Sequence, residues 1–314
     1  MKNTNPKLRI AILGTGAVGG YFGGLLAGKY SGSDEAEIIF ITRPATEKVI
    51  REKGLKIISD KEERIVFPDL VTSEPHKIGR LDLLICCIKS YDLEDSLKPL
   101  SGSISANTLI LPLLNGVDAG ERIKKLFPQN EVLEGCVYIV TRLIEPGVVK
   151  ETGNTRSLFF GSTKGITENL KKIEAVFKDA GIDASLSGNI RQVVWEKFLF
   201  ISTLASLTSY LDKPAGAIMA DESYRNMLIR LLEELIAVAK AINIHFPENI
   251  IESRIATMEK LPYETTSSMH SDFQKGGRTE YLSLTKYVVD LGKKLNIQTP
   301  LYEKVLSGLI LKTK

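Results

Sequence analysis

Cysteine, histidine and tryptophan are all scarce, at three, three and one residues in a chain of 314. The cysteines are Cys86, Cys87 and Cys136, and no two have C-x-x-C spacing. That excludes a disulfide framework and leaves too few soft ligands for zinc, so no metal is expected. The same scarcity points to a reducing cytoplasm. Charge of either sign is also nearly balanced, with 41 basic and 38 acidic residues and a net of +3. No broad positive field is offered to nucleic acid. No repeat or low-complexity segment occurs. One stretch, Ile10 to Gly28, carries no charge, but seven of its residues are glycine. Such a segment makes a poor continuous apolar helix, so a membrane span is not expected.

What the chain does have is enough length for more than one hydrophobic core, so two domains are the expectation. Apolar runs at Leu8–Leu13, Glu37–Thr42, Leu81–Ile88 and Thr108–Leu114 predict buried strands, separated by helical segments such as Pro44–Lys53. Leu55–Phe67 predicts a strand pair, and Val132–Val140 and Val148–Phe160 predict two more strands about a Pro-Gly turn. Alternation of this kind argues for an α/β, Rossmann-type, doubly wound sheet over residues 1–187. Past a thin polar linker at Ser185–Asn189 the pattern becomes helical. Gln192–Leu211, Ser223–Ile244, Pro247–Lys260, Thr279–Leu295 and Pro300–Leu311 predict an all-α domain over residues 188–314.

The stretch Gly14-Thr15-Gly16-Ala17-Val18-Gly19 follows the first strand and opens a helix. In that context G-x-G-x-x-G is a dinucleotide-binding turn. Its first glycine permits the turn, its second admits a pyrophosphate, and its third lets helix and strand approach. The second strand ends in Thr42-Arg43 where NAD sites usually carry an acidic residue. An arginine fork suits a 2′-phosphate, so NADP (as NADPH) is the expected cofactor. Ligands in such sheets lie beyond the carboxyl ends of the strands. That rule selects Lys89 in "CCIKSYD" and Asn115 in "LPLLNGVD". Cys86 and Cys87 read as inert core.

In the helical half, "VWEKFLFISTLASLTSYL" holds one lysine, Lys197, in a segment apolar all the way round. Lysine is rarely buried without a partner. Glu280, in "SSMHSDFQKGGRTEYLSL", is the second chemical candidate, although an acidic first helical turn is its simpler reading.

Taken in order, these motifs resemble the ketopantoate reductase family over nearly the whole chain. The glycine motif, Arg43, Lys89, the "NG" at Asn115, the "W-x-K" at Trp195 and Lys197, and Ser267-Ser268-Met269 with Arg278-Thr279-Glu280 all match in sequence. The resemblance implies NADPH-dependent reduction of a small 2-oxo acid, namely 2-dehydropantoate to pantoate in pantothenate and coenzyme A biosynthesis. It implies that Lys197 stabilises the developing alkoxide and acts as general acid. Glu280 binds substrate polar groups and helps position the lysine. Ser268 meets the substrate carboxylate side, and Asn115 contacts the lysine or the nicotinamide. The pattern departs at two substrate-holding asparagines, four and eight residues after the lysine, which are Ile201 and Ala205 here. Ser202 and Ser206 are adjacent, about 100° further round the helix. A second carboxylate of the family falls on Leu282. These changes keep open a reductase of a more apolar 2-oxo acid or ketone, and a non-catalytic NADP-binding sensor. Exposed apolar helices leave a homodimer open as well.

Overall fold

The computed structural model describes residues 7–60 and 62–313. In chain order the elements are β1 (Leu8–Leu13), α1 (Ala17–Tyr30), β2 (Ala36–Ile41), α2 (Pro44–Lys53), β3 (Leu55–Ile58), β4 (Glu63–Val66), β5 (Leu70–Thr72), β6 (Leu83–Cys86), α3 (Leu93–Leu97), β7 (Leu109–Pro112) and α4 (Ala119–Leu126). Then come β8 (Glu134–Glu145), β9 (Val148–Gly161), α5 (Glu168–Asp179) and β10 (Asp183–Leu186). The helices α6 (Ile190–Leu211), α7 (Ala215–Ala220), α8 (Glu222–Lys240), α9 (Ile250–Glu259), α10 (Ser268–Gln274), α11 (Tyr287–Leu295) and α12 (Pro300–Leu311) complete the chain. Two compact units result. One holds the described residues through Leu114 together with Ala119–Arg191; the other holds Asn115–Asp118 and the described residues from Gln192 onward. Among the described residues no helix is long and apolar enough to cross a membrane. None of them group as three or more His, Cys, Asp or Glu able to hold a metal ion.

The first unit contains a five-stranded sheet in the order β5-β2-β1-β6-β7, every pairing parallel. Its strands are apolar on both faces because both faces are covered. Ile10, Ile12, Ile38 and Phe40 join the core on the α1 side, whereas Ala11, Leu13, Ile39 and Ile41 join Leu93, Leu97, Ala119 and Ile123 of α3 and α4. One doubly wound sheet was the sequence expectation; the structure adds a second, mixed one. Its order is β10-β9-β3-β4, with β8 antiparallel along β9. The long β9 pairs with β3 through Val148–Lys150 and with β10 through Ser157–Phe160. Ser185 and Leu186, expected in a linker, belong to β10 and lie opposite Phe159 and Phe160. Helix α1 faces both sheets, which accounts for its glycines. A Cβ on Gly23 would lie 2.9 Å from Ile12, while one on Gly24 or Gly20 would lie 2.5 Å from Ile57 or Val149.

Among its described residues, the regular elements of the second unit are all helices. Helix α8 buries Leu228, Leu231, Leu232, Leu235, Val238 and Ala239. This is the i, i+3, i+4, i+7 stripe of a core-facing helix, and each full leucine burial contributes roughly 2 kcal/mol. Glu234 of the same helix accepts the backbone N–H groups of Leu301 and Tyr302 at 2.8 and 2.9 Å. It thereby caps α12, whose own N-cap residue, Thr299, makes no side-chain cap. The helix expected at Thr279–Leu295 begins differently. Leu282–Lys286 is a π-helical turn leading into α11, and Thr279 and Glu280 lie outside the helix. The Glu280 carbonyl accepts from Ser283 N and Leu284 N, so Glu280 closes the helix from the N-terminal side.

Candidate active site

The glycine turn follows directly from β1. Gly14 has φ +91°, and a Cβ there would lie 2.5 Å from Ile88 Cγ2. A Cβ on Gly19 would press on the Gly14 carbonyl and lie 2.8 Å from Cys87 Cβ. The fold itself therefore requires both glycines. Gly16 is different: among the described residues nothing lies within 4 Å of the place its Cβ would take. It is the N-cap of α1 and offers no side-chain cap to the first-turn N–H groups. The helix N-terminus thus presents bare backbone donors and its positive dipole end, the arrangement that receives a pyrophosphate. Thr15 Oγ1 and Thr42 Oγ1, 2.7 Å apart, tie this turn to the end of β2.

Arg43 follows Thr42 as N-cap of α2, with Pro44 in the first turn. Its side chain is 85% exposed and pairs with Asp92 Oδ2 at 3.2 Å. Exposed ion pairs contribute at most about 1 kcal/mol, so this one adds little to the stability of the fold. Lys89 is half-buried beyond the end of β6, just before a single turn at Ser90–Asp92. Gly14–Gly19, Arg43 and Lys89 therefore stand at the carboxyl ends of β1, β2 and β6. The strand order reverses between β1 and β6, which is where an open parallel sheet binds its ligand. The residues present fit the pyrophosphate of a bound dinucleotide. Burial pushes the thiol of the partly buried Cys87 up to about 12 and that of the core residue Cys86 further, so both stay protonated.

In the helical unit, Lys197 is half-buried on α6 and donates to Asn115 Oδ1 at 2.8 Å. The structure thus joins two expected site residues that are 82 positions apart. Glu280 is 3% exposed. Ile201 is half-buried and Ala205 is buried, on the turns of α6 that follow Lys197. The neighbouring serines do not take over from the missing asparagines. Ser202 and Ser206 lie about 140° and 180° round the helix from Lys197. Ser202 Oγ donates to Leu284 O at 2.6 Å and meets Tyr302 OH at 2.9 Å, while Ser206 Oγ meets Thr285 Oγ1 at 2.7 Å. Their hydroxyls hold α6 to the π turn and to α12.

Ser268 is exposed at the start of α10. Its neighbour Ser267 is buried, caps that helix by accepting from His270 N, and meets Thr208 Oγ1 at 3.1 Å. Thr208 lies about 16 Å along α6 from Lys197, so this anchor sits well down the helix from the lysine. His270 Nε2 meets Asp212 Oδ1 at 2.7 Å and pins the same helix to the end of α6. That hydrogen bond from His270 holds the Asp212 carboxyl below its ordinary range. Two residues without a recognisable sequence signal also bear on the site. Ser283 Oγ donates to Asp118 Oδ2 at 3.0 Å and so grips the loop that carries Asn115.

Comparison with known proteins covers both units. A family model described as Ketopantoate reductase PanE/ApbA matches residues 10–165. Its companion, Ketopantoate reductase PanE/ApbA C terminal, matches residues 189–312. The uncharacterized oxidoreductase YkpB of Bacillus subtilis is 28% identical over 303 residues, spanning 96% of this chain and 98% of its own. The 2-dehydropantoate 2-reductase of Halobacterium salinarum is 27% identical over 306 residues, spanning 96% and 98%. Among solved structures, the 2-dehydropantoate 2-reductase of Porphyromonas gingivalis W83 is 30% identical, with a TM-score of 0.85 over 97% of this chain and 99% of that one.

Proposed function

The chain belongs to the ketopantoate reductase family and is an oxidoreductase of the CH–OH/C=O class, and from that premise we propose that it reduces a 2-oxo acid with NADPH. Ketopantoate is the first substrate, which places the reaction in the supply of pantoate for pantothenate and coenzyme A. The observation that carries this reading is the Lys197–Asn115 hydrogen bond of 2.8 Å. It sets an ammonium on a largely apolar helix against an amide of the Asn115–Asp118 loop.

The balance is 2-oxo acid, NADPH and one proton giving 2-hydroxy acid and NADP⁺. When bound, the reduced cofactor supplies the hydride to the ketone carbon. Lys197 does the protein's part. Its ammonium stabilises the charge growing on the carbonyl oxygen and passes a proton to it, and solvent later returns that proton to the amine. Asn115 Oδ1 accepts from the ammonium and fixes the direction of its remaining N–H bonds. The carboxylate of Glu280 receives polar groups of the substrate, and Ser268 faces the substrate carboxylate side. Arg43 and Lys89 hold the phosphates of the dinucleotide, with the 2′-phosphate on Arg43. The test follows NADPH absorbance with ketopantoate. Turnover by the wild type, and a loss of about 100-fold or more in Lys197→Ala, is the expected result. No turnover, or an unaffected variant, overturns the assignment for this substrate.

A second reading has its own support: Ile201 and Ala205 stand on the turns after Lys197, and Ser202 and Ser206 are committed elsewhere. Without polar groups there, the same chemistry favours a 2-oxo acid or ketone with an unhydroxylated, apolar side chain. A substrate panel separates the two, because a higher kcat/KM for ketopantoate than for every apolar member removes the second reading. The Lys197–Asn115 pair also argues against a non-catalytic NADP sensor, which tight NADPH binding without any reduction would favour.

A further inference from the structure

The loop Asn115–Asp118 is gripped at both ends. At one end Asn115 Oδ1 accepts from Lys197 at 2.8 Å, and at the other Asp118 Oδ2 accepts from Ser283 at 3.0 Å. Ser283 belongs to the π turn, and the two residues after it return to α6. Leu284 O accepts from Ser202 at 2.6 Å, and Thr285 Oγ1 meets Ser206 at 2.7 Å. The hydrogen-bonded circuit therefore begins and ends on one helix. Lys197, Ser202 and Ser206 share that helix, so their spacing is fixed by its geometry. Inside the loop, Gly116 has φ +105°, and a Cβ there would lie 3.0 Å from Asp118 Oδ1 and 3.4 Å from Ser283 Cβ. A side chain at Gly116 would therefore crowd the contact between the loop and the π turn. A lysine cannot supply that order by itself, because its long side chain loses much rotamer entropy when held in one place.

We infer that Ser283 and Asp118 are positioning residues that hold Asn115 where it orients the Lys197 ammonium. The inference rests on the reading of Lys197 as proton donor. Neither residue touches the reacting atoms. The π turn is what makes the contact reachable: it sets Ser283 toward the loop while Leu284 and Thr285 meet α6. Without the Ser283 hydroxyl, the Asp118 end loses this hydrogen bond and Asn115 is held less firmly.

The experiment compares Ser283→Ala, Ser283→Thr, Asn115→Ala and the Ser283→Ala/Asn115→Ala double variant. Ser283→Ala is expected to lower kcat about tenfold with the KM for NADPH changed by no more than about twofold. Ser283→Thr, which keeps the hydroxyl, recovers kcat to within about threefold of wild type. The double variant is no slower than Asn115→Ala alone, because the two residues act through one contact. A residue that only stabilises the fold would lower the melting temperature and leave kcat in place. A second arm needs no turnover: limited amine acetylation, located by peptide mass spectrometry. Lys197 labelling is expected to rise about threefold or more in both Ser283→Ala and Asn115→Ala, since the first loosens and the second removes the hydrogen bond from the ammonium to Asn115. A wild type that reduces no 2-oxo acid overturns the reaction, and the labelling arm still decides the positioning. Unchanged Lys197 labelling in Ser283→Ala, or kinetic effects that multiply in the double variant, overturns the inference.

Discussion

The Gly16→Ala substitution separates what the fold needs from what a ligand needs. Gly16 has φ −72° and ψ −156°, an extended conformation open to any residue, and its built Cβ meets nothing within 4 Å. Alanine is a poorer N-cap than glycine, and it also restricts the unfolded chain; the two effects oppose each other and leave a net change within about 1 kcal/mol. Gly14→Ala, by contrast, meets left-handed strain at φ +91° and a methyl group 2.5 Å away. That costs about 1–3 kcal/mol in strain before any repacking. For a bound dinucleotide the order reverses. A methyl on Gly16 stands where the pyrophosphate approaches the backbone, and losing one or two charge-assisted N–H bonds weakens binding about 10- to 100-fold. Fluorescence titration with NADPH measures the affinity, and thermal unfolding without ligand measures the fold. If Gly16→Ala binds NADPH as tightly as wild type, no pyrophosphate lies over that turn. If it unfolds as readily as Gly14→Ala, the division of roles between the two glycines is wrong.

Glu234→Ala removes both acceptors at the start of α12 and is expected to cost about 2–3 kcal/mol; a thermal melt coincident with wild type would refute the cap. Glu47, buried in the first turn of α2, takes the Ser73 N–H at 2.7 Å and is held below the ordinary carboxylate range chiefly by its hydrogen bonding to Ser73, with Arg51 adding to it. A lowered folded-state value means stability that is fully present above about pH 5 and is lost as the pH falls through that value. Acid titration of unfolding should therefore show a shallower slope in Glu47→Gln, and an identical slope would contradict the assignment. The thiols of Cys86 and Cys87 should resist a disulfide reagent at pH 8 until the protein unfolds, because the thiolate fraction of a group near 12 is on the order of 10⁻⁴. Rapid reaction of Cys86 in the folded protein, seen by absorbance, would contradict its burial.

Local signals carried much of this architecture. Helix α2 runs from Pro44 to Lys53 as the sequence predicts, since proline opens it and Gly54, at φ +76°, ends it. Gly14 and Gly19 could be read because a strand precedes them and a helix follows. Lys197 was visible as the last charge before a long uncharged apolar run, and the structure supplies Asn115 as a partner. The second sheet was not legible, because its central pairing joins Lys56 to Val148 across 92 positions and leaves no periodic mark at either place. The strand at Asp183–Leu186 is short and polar enough to pass for a linker. The π turn was hidden for another reason: the partners of its residues, Ser202, Ser206 and Asp118, are all distant in sequence.

The glycine-lined helix between two sheets also sets a timetable for biosynthesis. Helix α1 and the strands on its first side leave the ribosome early, but Val149, which closes over Gly20, is made about 130 residues later. Until then a small-residue helix and the strands Leu55–Ile58 and Glu63–Val66 have only part of their cover. A nascent chain halted after Leu126 carries the whole dinucleotide turn and lacks the strand that shields the back of its helix. Such a chain should bind chaperones and aggregate, and cofactor affinity should emerge only once the residues up to Leu186 have been added.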